Sequence, residues 1–249
     1  MTSDPLHSLG PWQRLGHQAR AYLGRYAVLL FPPRCAGCGR FGTHFCHACR
    51  DRVQPVRPPF CLRCGQPLTT GTLCHACSQG KFTHLDRARA AALYASPLRE
   101  AIHQFKYRRN VHLVPVLARY MLGRLRRDAL VDVALVPVPL HPERKRLRGF
   151  NQATLLARYL GQQLGLAVEE EILERSRPTR PQVTLSLPER MANMHGAFRA
   201  GPPQRLRGRT FLVIDDVMTT GSTLEACAHA LKAAGAARVW AYTLARAAG

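Results

Sequence analysis

Residues 213–224 read VIDDVMTTGSTL, an apolar run, two adjacent acids, then small hydroxylated residues around a glycine. Residues 210–214 have the length and β-branched content of a buried strand. From Ser222 onward, Leu224, Ala226, Ala230 and Leu231 recur at helical spacing. The loop between them therefore joins the C-terminal end of a strand to a helix N-terminus, where unpaired backbone N–H groups and the helix dipole favour a phosphate. Gly221 lets the backbone approach a ligand closely, and Thr219, Thr220, Ser222 and Thr223 add hydroxyl donors. Asp215 and Asp216 would repel a phosphate, but suit the vicinal hydroxyls of a ribose or a hydrated Mg2+. The segment is expected to hold a sugar phosphate. No G-x-G-x-x-G follows a strand and no Lys follows the glycine, which excludes the dinucleotide and P-loop readings.

Working outward, residues 88–95, 133–138, 168–173 and 239–244 also read as strands, and residues 97–107, 112–126, 151–164 and 222–234 as helices. This alternation predicts an α/β fold with a mostly parallel sheet covered on both faces and ligand at the strands' C-terminal ends. After the strand at 133–138 comes PVPLHPERKRLRGFNQ, residues 137–152. Arg144, Lys145, Arg146 and Arg148 place four cations in what reads as a loop bounded by Pro and Gly. Such a loop suits a diphosphate, which needs several cations besides Mg2+. Residues 175–198 hold three prolines, with few apolar side chains in the first half, and read as a mobile loop.

Eight of the nine cysteines fall between residues 35 and 77, as four C-x-x-C pairs: Cys35 and Cys38, Cys46 and Cys49, Cys61 and Cys64, Cys74 and Cys77. Each pair sets two thiolates on one side of a tight knuckle, and two knuckles complete a tetrahedral Zn2+ site. Pairing in sequence order gives two successive zinc ribbons; a cross-braced arrangement is the alternative. A Zn2+ held by four cysteines has no open position, so both sites are expected to be structural, and the segment to depend on metal to fold. His44, His47, His75 and His84 are then bystanders, and Cys227 is expected to pack inside a helix. The expected organisation is an amphipathic helix in 1–33, a double zinc ribbon in 34–84 and the α/β domain in 85–249.

The chain carries 36 Lys and Arg against 15 Asp and Glu, a net charge of +21. The excess is spread: residues 1–84 hold 10 basic against 2 acidic side chains, and residues 85–249 hold 26 against 13. Such a field attracts polyanions, nucleic acid first among them, although a general Arg bias would give the same balance. No stretch long enough to span a bilayer is free of charge, since residues 12–31 contain Arg14, Arg20 and Arg25. In that segment Leu15, Ala19, Tyr22, Leu23 and Tyr26 are expected to pack on the body; an Arg-rich transit peptide is the alternative. A cytoplasmic protein is expected.

VIDDVMTTGST resembles the phosphoribosyl diphosphate (PRPP) signature of type I phosphoribosyltransferases. With F-K-Y at Phe105 to Tyr107, V-P-V-P-L-H at Val136 to His141, R-G-F-N-Q at Arg148 to Gln152, T-x-x-Q at Thr179 to Gln182 and L-S-x-x-x-R-x-x-N at Leu185 to Asn193, nearly the whole chain resembles the ComF/GntX family, a phosphoribosyltransferase-like group associated with DNA uptake in natural competence. The resemblance implies the type I phosphoribosyltransferase fold. It places the ribose on Asp215 and Asp216, the 5′-phosphate on residues 219–223, and the diphosphate with Mg2+ on Arg144, Lys145 and Arg148. Asp215, Asp216 and Arg148 are the candidate catalytic residues. Residues 175–198 would be a hood excluding water, with Gln182, Arg190 and Asn193 nearest the ligand. Purine-salvage transferases carry an Asp where this chain has Thr219, so proton handling on a 6-oxopurine is not expected. The function implied is PRPP binding coupled to handling of single-stranded DNA, with DNA-uptake proteins as possible partners. An active transferase acting on an unidentified acceptor and a PRPP-sensing adaptor are the alternatives.

Overall fold

The computed structural model describes residues 32–125, 132–176 and 196–247. The expected N-terminal helix and the hood residues Gln182, Arg190 and Asn193 lie outside them. Among the described residues, four strands form one parallel sheet: β1 (Arg87–Leu93), β2 (Val133–Pro137), β5 (Thr210–Met218) and β6 (Arg238–Arg246), in the order β1-β6-β5-β2. Two short strands, β3 (Leu173–Arg175) and β4 (Phe198–Ala200), make a separate antiparallel pair.

The sheet is covered on both faces, as the near-continuous apolar runs of its strands require. Ala134, Val136, Phe211 and Val213 enter one core; Val133, Leu135, Leu212 and Ile214 enter the other. The second core is filled by α3 (Leu98–Tyr107), α4 (Val114–Leu125) and α6 (Gln152–Leu164), and the first by α7 (Ser222–Ala233) with β3 and β4. On α3 the buried residues are Leu98, Ala101, Ile102 and Phe105, a stripe one residue in three or four wide that leaves Lys106 and Tyr107 on its flank.

The cysteine segment carries two short helices, α1 (His47–Asp51) and α2 (His75–Ser78), each opening on a C-x-x-C pair. The cysteines gather in sequence order, Cys35, Cys38, Cys46 and Cys49 in one cluster and Cys61, Cys64, Cys74 and Cys77 in the other, with all four sulfurs of each within 4.8 Å. The pairs Cys38–Cys46 and Cys64–Cys74 stand 3.7 Å apart Sγ to Sγ. This matches the edge of about 3.8 Å expected of a tetrahedron with Zn–S near 2.3 Å. Among the described residues no histidine joins either set; His44 stacks on His112 and His84 bonds Glu225. Both quartets fit a closed structural Zn2+ site. Within each quartet backbone N–H donors bring one thiol, Cys35 or Cys61, down to about 6 against the cost of burial, while burial and the neighbouring sulfurs push Cys49 and Cys77 up.

The ribbons are built into the cores of the sheet. Cys35, Cys46 and Cys49 belong to the core under α3 and α4, and Cys61, Cys64, Cys74 and Cys77 to the core under α7. The chain between and beside them runs along the outer edge of β1, where Leu93 N–H donates to Gln54 O (2.8 Å) and Ala88 N–H to Arg63 O (2.7 Å). An edge strand that would otherwise offer unpaired backbone groups is thereby covered.

Three expectations are corrected. The strand expected at 168–173 is reduced to a single parallel bridge between Val168 and Leu135, because Glu169, Glu170 and Glu171 cannot all enter a buried sheet; Leu173 turns away into β3. The basic loop contains a helix, α5 (Pro142–Arg148). It has Pro at its start, Glu143 in the first turn, Lys145, Arg146 and Arg148 in the last, and Gly149 at φ 85° closing it. The strand expected to end at Ile214 continues through both acids to Met218, because β6 keeps pairing with it as far as Arg246.

Candidate active site

That last difference creates the site. β2 stops where Pro137 pairs with Ile214, whereas β5 runs on for four residues with β6 alone beside it. Past the end of β2 a cleft of about 950 Å³ opens. Asp215 and Asp216 line it from β5, Thr219 from the loop that follows, Thr223 from the start of α7, Arg144, Leu147 and Arg148 from α5, and Lys106 and Tyr107 from α3.

Asp216 is buried, and its Oδ1 stands 2.7 Å from Lys106 Nζ. Asp215 accepts a 2.8 Å hydrogen bond from the Asp216 backbone N–H. Burial first, and the Asp216 charge second, push the Asp215 carboxyl up to about 7; Lys106 opposes them without cancelling them. Lys106 is held protonated despite its own burial because Asp216 faces it. Arg175, at the end of β3, also lines the cleft; burial and the neighbouring Arg144 weaken its hold on its proton.

α5 sorts the four cations of the basic segment. Arg144 and Arg148, one turn apart, face the cleft, while Lys145 is exposed and does not line it. Arg148 Nη1 donates to Gln152 Oε1 at 2.6 Å, fixing the guanidinium on the floor. Asn151 of the R-G-F-N-Q stretch is the N-cap of α6: it accepts from Ala153 N–H (3.0 Å) and donates to Val138 O (2.9 Å). That motif is therefore partly scaffold.

In the loop at 219–223, Thr220 Oγ1 lies 3.0 Å from Ser222 Oγ, Ser222 is buried, and Thr219 and Thr223 reach the cleft. Gly221 has φ 84°, and a Cβ there would fall 2.6 Å from Met218 Cε and 2.7 Å from Phe82 Cζ. Gly221→Ala should therefore lower stability by about 2 kcal/mol or more, from the left-handed backbone and the overlap together. Thermal unfolding measures this, and an unchanged melting temperature would refute the tight packing.

Phe82 belongs to the segment that follows the second ribbon, which grips this loop at two further points. Glu225, in the first turn of α7, accepts backbone N–H bonds from Thr83, His84 and Leu85 at 2.9 to 3.0 Å. Arg246, buried at the end of β6, donates to Cys64 O (2.8 Å) and reaches Met218 Sδ at 3.1 Å.

Lys106, Arg175 and Tyr107 were not singled out as site residues from the sequence. The F-K-Y stretch carried a signal for two of them, a cation and an exposed aromatic on the flank of an apolar helical stripe. Cys227 lies where expected, fully buried in α7, with burial pushing its thiol well up.

The chain matches the double zinc ribbon domain over residues 27–78 and the phosphoribosyl transferase domain over residues 148–249. It is 35% identical to the DNA utilization protein YhgH of Escherichia coli over 231 residues, covering 88% of this chain and 99% of that protein. Against competence protein F of Haemophilus influenzae the identity is 30% over 230 residues, with the same coverage. Competence protein ComFC of Bacillus subtilis is 26% identical over 213 residues, 81% of this chain and 83% of that one. With a double zinc ribbon, a phosphoribosyltransferase fold and relatives aligned over nearly their whole length, the chain belongs to the ComF/GntX family.

Proposed function

We propose that this protein binds PRPP with Mg2+ in the cleft and handles single-stranded DNA during uptake, working in the cytoplasm. The observation that carries the first half is the meeting, in one cleft, of an acid pair, a hydroxyl-rich loop at a helix N-terminus, and Arg144 and Arg148 on a facing helix. Asp215 and Asp216 accept hydrogen bonds from the ribose hydroxyls, residues 219–223 take the 5′-phosphate, and the two arginines take the diphosphate. Bound Mg2+ would neutralise the diphosphate beside them. The names of the relatives and the net charge of +21 support the DNA half. No helix among the described residues is long and apolar enough to cross a membrane.

Calorimetric titration with PRPP and Mg2+ tests the first half. One site per chain is expected, weakened about 100-fold or more when Arg144 and Arg148 are both replaced by Ala, since each charge-assisted hydrogen bond contributes about 1.5–3 kcal/mol. Absence of heat at millimolar ligand would sink it.

One observation favours a second reading, an active transferase. Asp215, pushed up to about 7, exchanges a proton near neutral pH and so offers the proton acceptor that Thr219 does not. Diphosphate release from PRPP with candidate acceptors, at a rate that rises with pH through about 7, would support it, and no release at any pH would count against it.

A further inference from the structure

In the sequence, aromatic side chains barely interleave with basic ones, which leaves no evident surface on which bases could stack. The fold assembles one at the mouth of the cleft. Tyr107, 65% exposed at the end of α3, has the Arg148 guanidinium 5.3 Å above its ring and the His103 imidazole 4.7 Å away. Leu147, 69% exposed, borders the same mouth, and its carbonyl accepts a 2.9 Å bond from Arg109 Nη2. Arg109 itself sits at φ 52°, a left-handed conformation that a non-glycine residue rarely adopts. The turn that ends α3 is thus fixed in a costly shape that ties it to α5, with Tyr107 beside it in solvent.

A second cavity of about 430 Å³ lies between α3 and the first ribbon, bordered by Gly37, Arg99 and Arg108, and it shares Tyr94 and His103 with the cleft. The one carboxylate lining it, Glu100, is bonded by Arg99 at 2.9 Å. The two openings share a rim at Tyr94 and His103, with Arg148 lining one and Arg108 the other, so a path from one to the other would be cationic at both ends. A phosphoribosyl group would fill only the inner part of it.

We propose that this path, from Tyr107 and Arg148 across His103 to Arg99 and Arg108, is the track on which a single DNA strand lies. The proposal rests on the DNA half of the reading above and names the surface that performs it. Single-strand binding combines a cationic groove along the backbone with aromatic faces for the bases. An exposed ring under a guanidinium supplies the face, and a duplex, whose bases are already stacked and paired, cannot use it. Arg108 and Arg99 stand where the phosphates of the flanking nucleotides run towards the ribbon.

The test is fluorescence anisotropy of the full chain with a labelled oligothymidylate of about 15 nucleotides, measured over a range of salt. Tyr107→Ala should weaken binding about 10-fold or more, in line with about 1–3 kcal/mol per stacked base. The salt dependence should stay unchanged, and Tyr107→Trp should keep the parent affinity. The pair Arg99→Ala with Arg108→Ala should flatten the log–log salt slope by about 1.4, or about 0.7 for each lost phosphate contact, and leave PRPP titration as in the parent. Parent affinity in Tyr107→Ala would overturn the proposal, as would equal binding of a blunt duplex or displacement of the strand by a polyglutamate of equal charge. A parent that gives no heat with PRPP, yet loses the strand on Tyr107→Ala, would refute the ribose-phosphate reading and support the track.

Discussion

Replacing Asp215 by Asn should abolish PRPP binding and, in the same molecule, raise the stability of the free protein at neutral and alkaline pH. The first effect follows from losing one of the two carboxylates proposed to hold the ribose hydroxyls. The second follows from proton linkage. In the folded protein the Asp215 carboxyl is pushed from an ordinary 3.8 up to about 7, chiefly by burial and by the charge of Asp216. A carboxyl raised in this way favours the folded state most when both states hold the proton, below about pH 4. Its contribution falls as the pH rises through the interval and is fully lost above about pH 7. Asn never ionises, so the gap between variant and parent should open from about pH 4, widen to about pH 7 and then stay level. An upper figure of about 4 kcal/mol corresponds to roughly three units of displacement. Scanning calorimetry at pH 4, 6 and 8 checks it, and a gap independent of pH would show that the carboxyl is not displaced. Natural sites trade stability for function in this way.

The second large effect concerns the link from the second ribbon to the phosphate loop. Arg246→Met should keep two zinc ions per chain by elemental analysis, yet weaken PRPP binding at least about 10-fold and lower the melting temperature by roughly 10 °C. The side chain is 3% exposed and reaches Cys64 O, Cys64 Sγ, Gln66 Oε1 and Met218 Sδ, so removing it leaves the Cys64 carbonyl without this donor and frees the end of β5. Breaking such buried polar contacts costs about 1–3 kcal/mol per group left unsatisfied. Cys64→Ser should go further and lose one zinc together with the ligand. If Arg246→Met bound PRPP like the parent, the ribbon would be a neighbour of the loop and not its support.

The sheet and both cysteine quartets were legible because their signals are local. Four apolar residues, two acids, a glycine and the first residue of a helical stripe fit within fourteen positions, and four C-x-x-C pairs in order need no partner outside their own segment. What escaped depended on contacts between distant residues. α5 buries none of its side chains, so no apolar period marks it, although Pro142, Glu143 and Gly149 spell its ends. Lys106 acquires its meaning from Asp216, 110 positions later. The end of β5 is set by β6, which pairs with it beyond the last apolar residue of the run. At 168–173 the reverse happened: a plausible strand lost to three glutamates, of which Glu169 is taken by Arg205 and Arg209 at 2.7 and 3.0 Å. The ribbons were expected to lack a core of their own, and in the fold their cysteines are members of the two cores of the sheet.

The strand order β1-β6-β5-β2 has a consequence for how the chain is made. β1 has β6 as its sheet neighbour, and Ala88 pairs with Ala241. On the ribosome the first strand of the sheet must therefore wait for the last, while the ribbons that flank it have already been synthesised. Domains fold as units while the chain emerges, and unpaired strand edges in the interval invite aggregation. The stretch from Gln54 to Arg63, which runs from between the ribbons into the second one and is bonded to β1 through Gln54, Val56 and Arg63, needs only residues within about 40 positions of it. Metal delivered early would set that cover in place, so the share of chains reaching the native sheet is expected to rise with the zinc supplied during synthesis, which the soluble yield from zinc-depleted and zinc-replete expression measures.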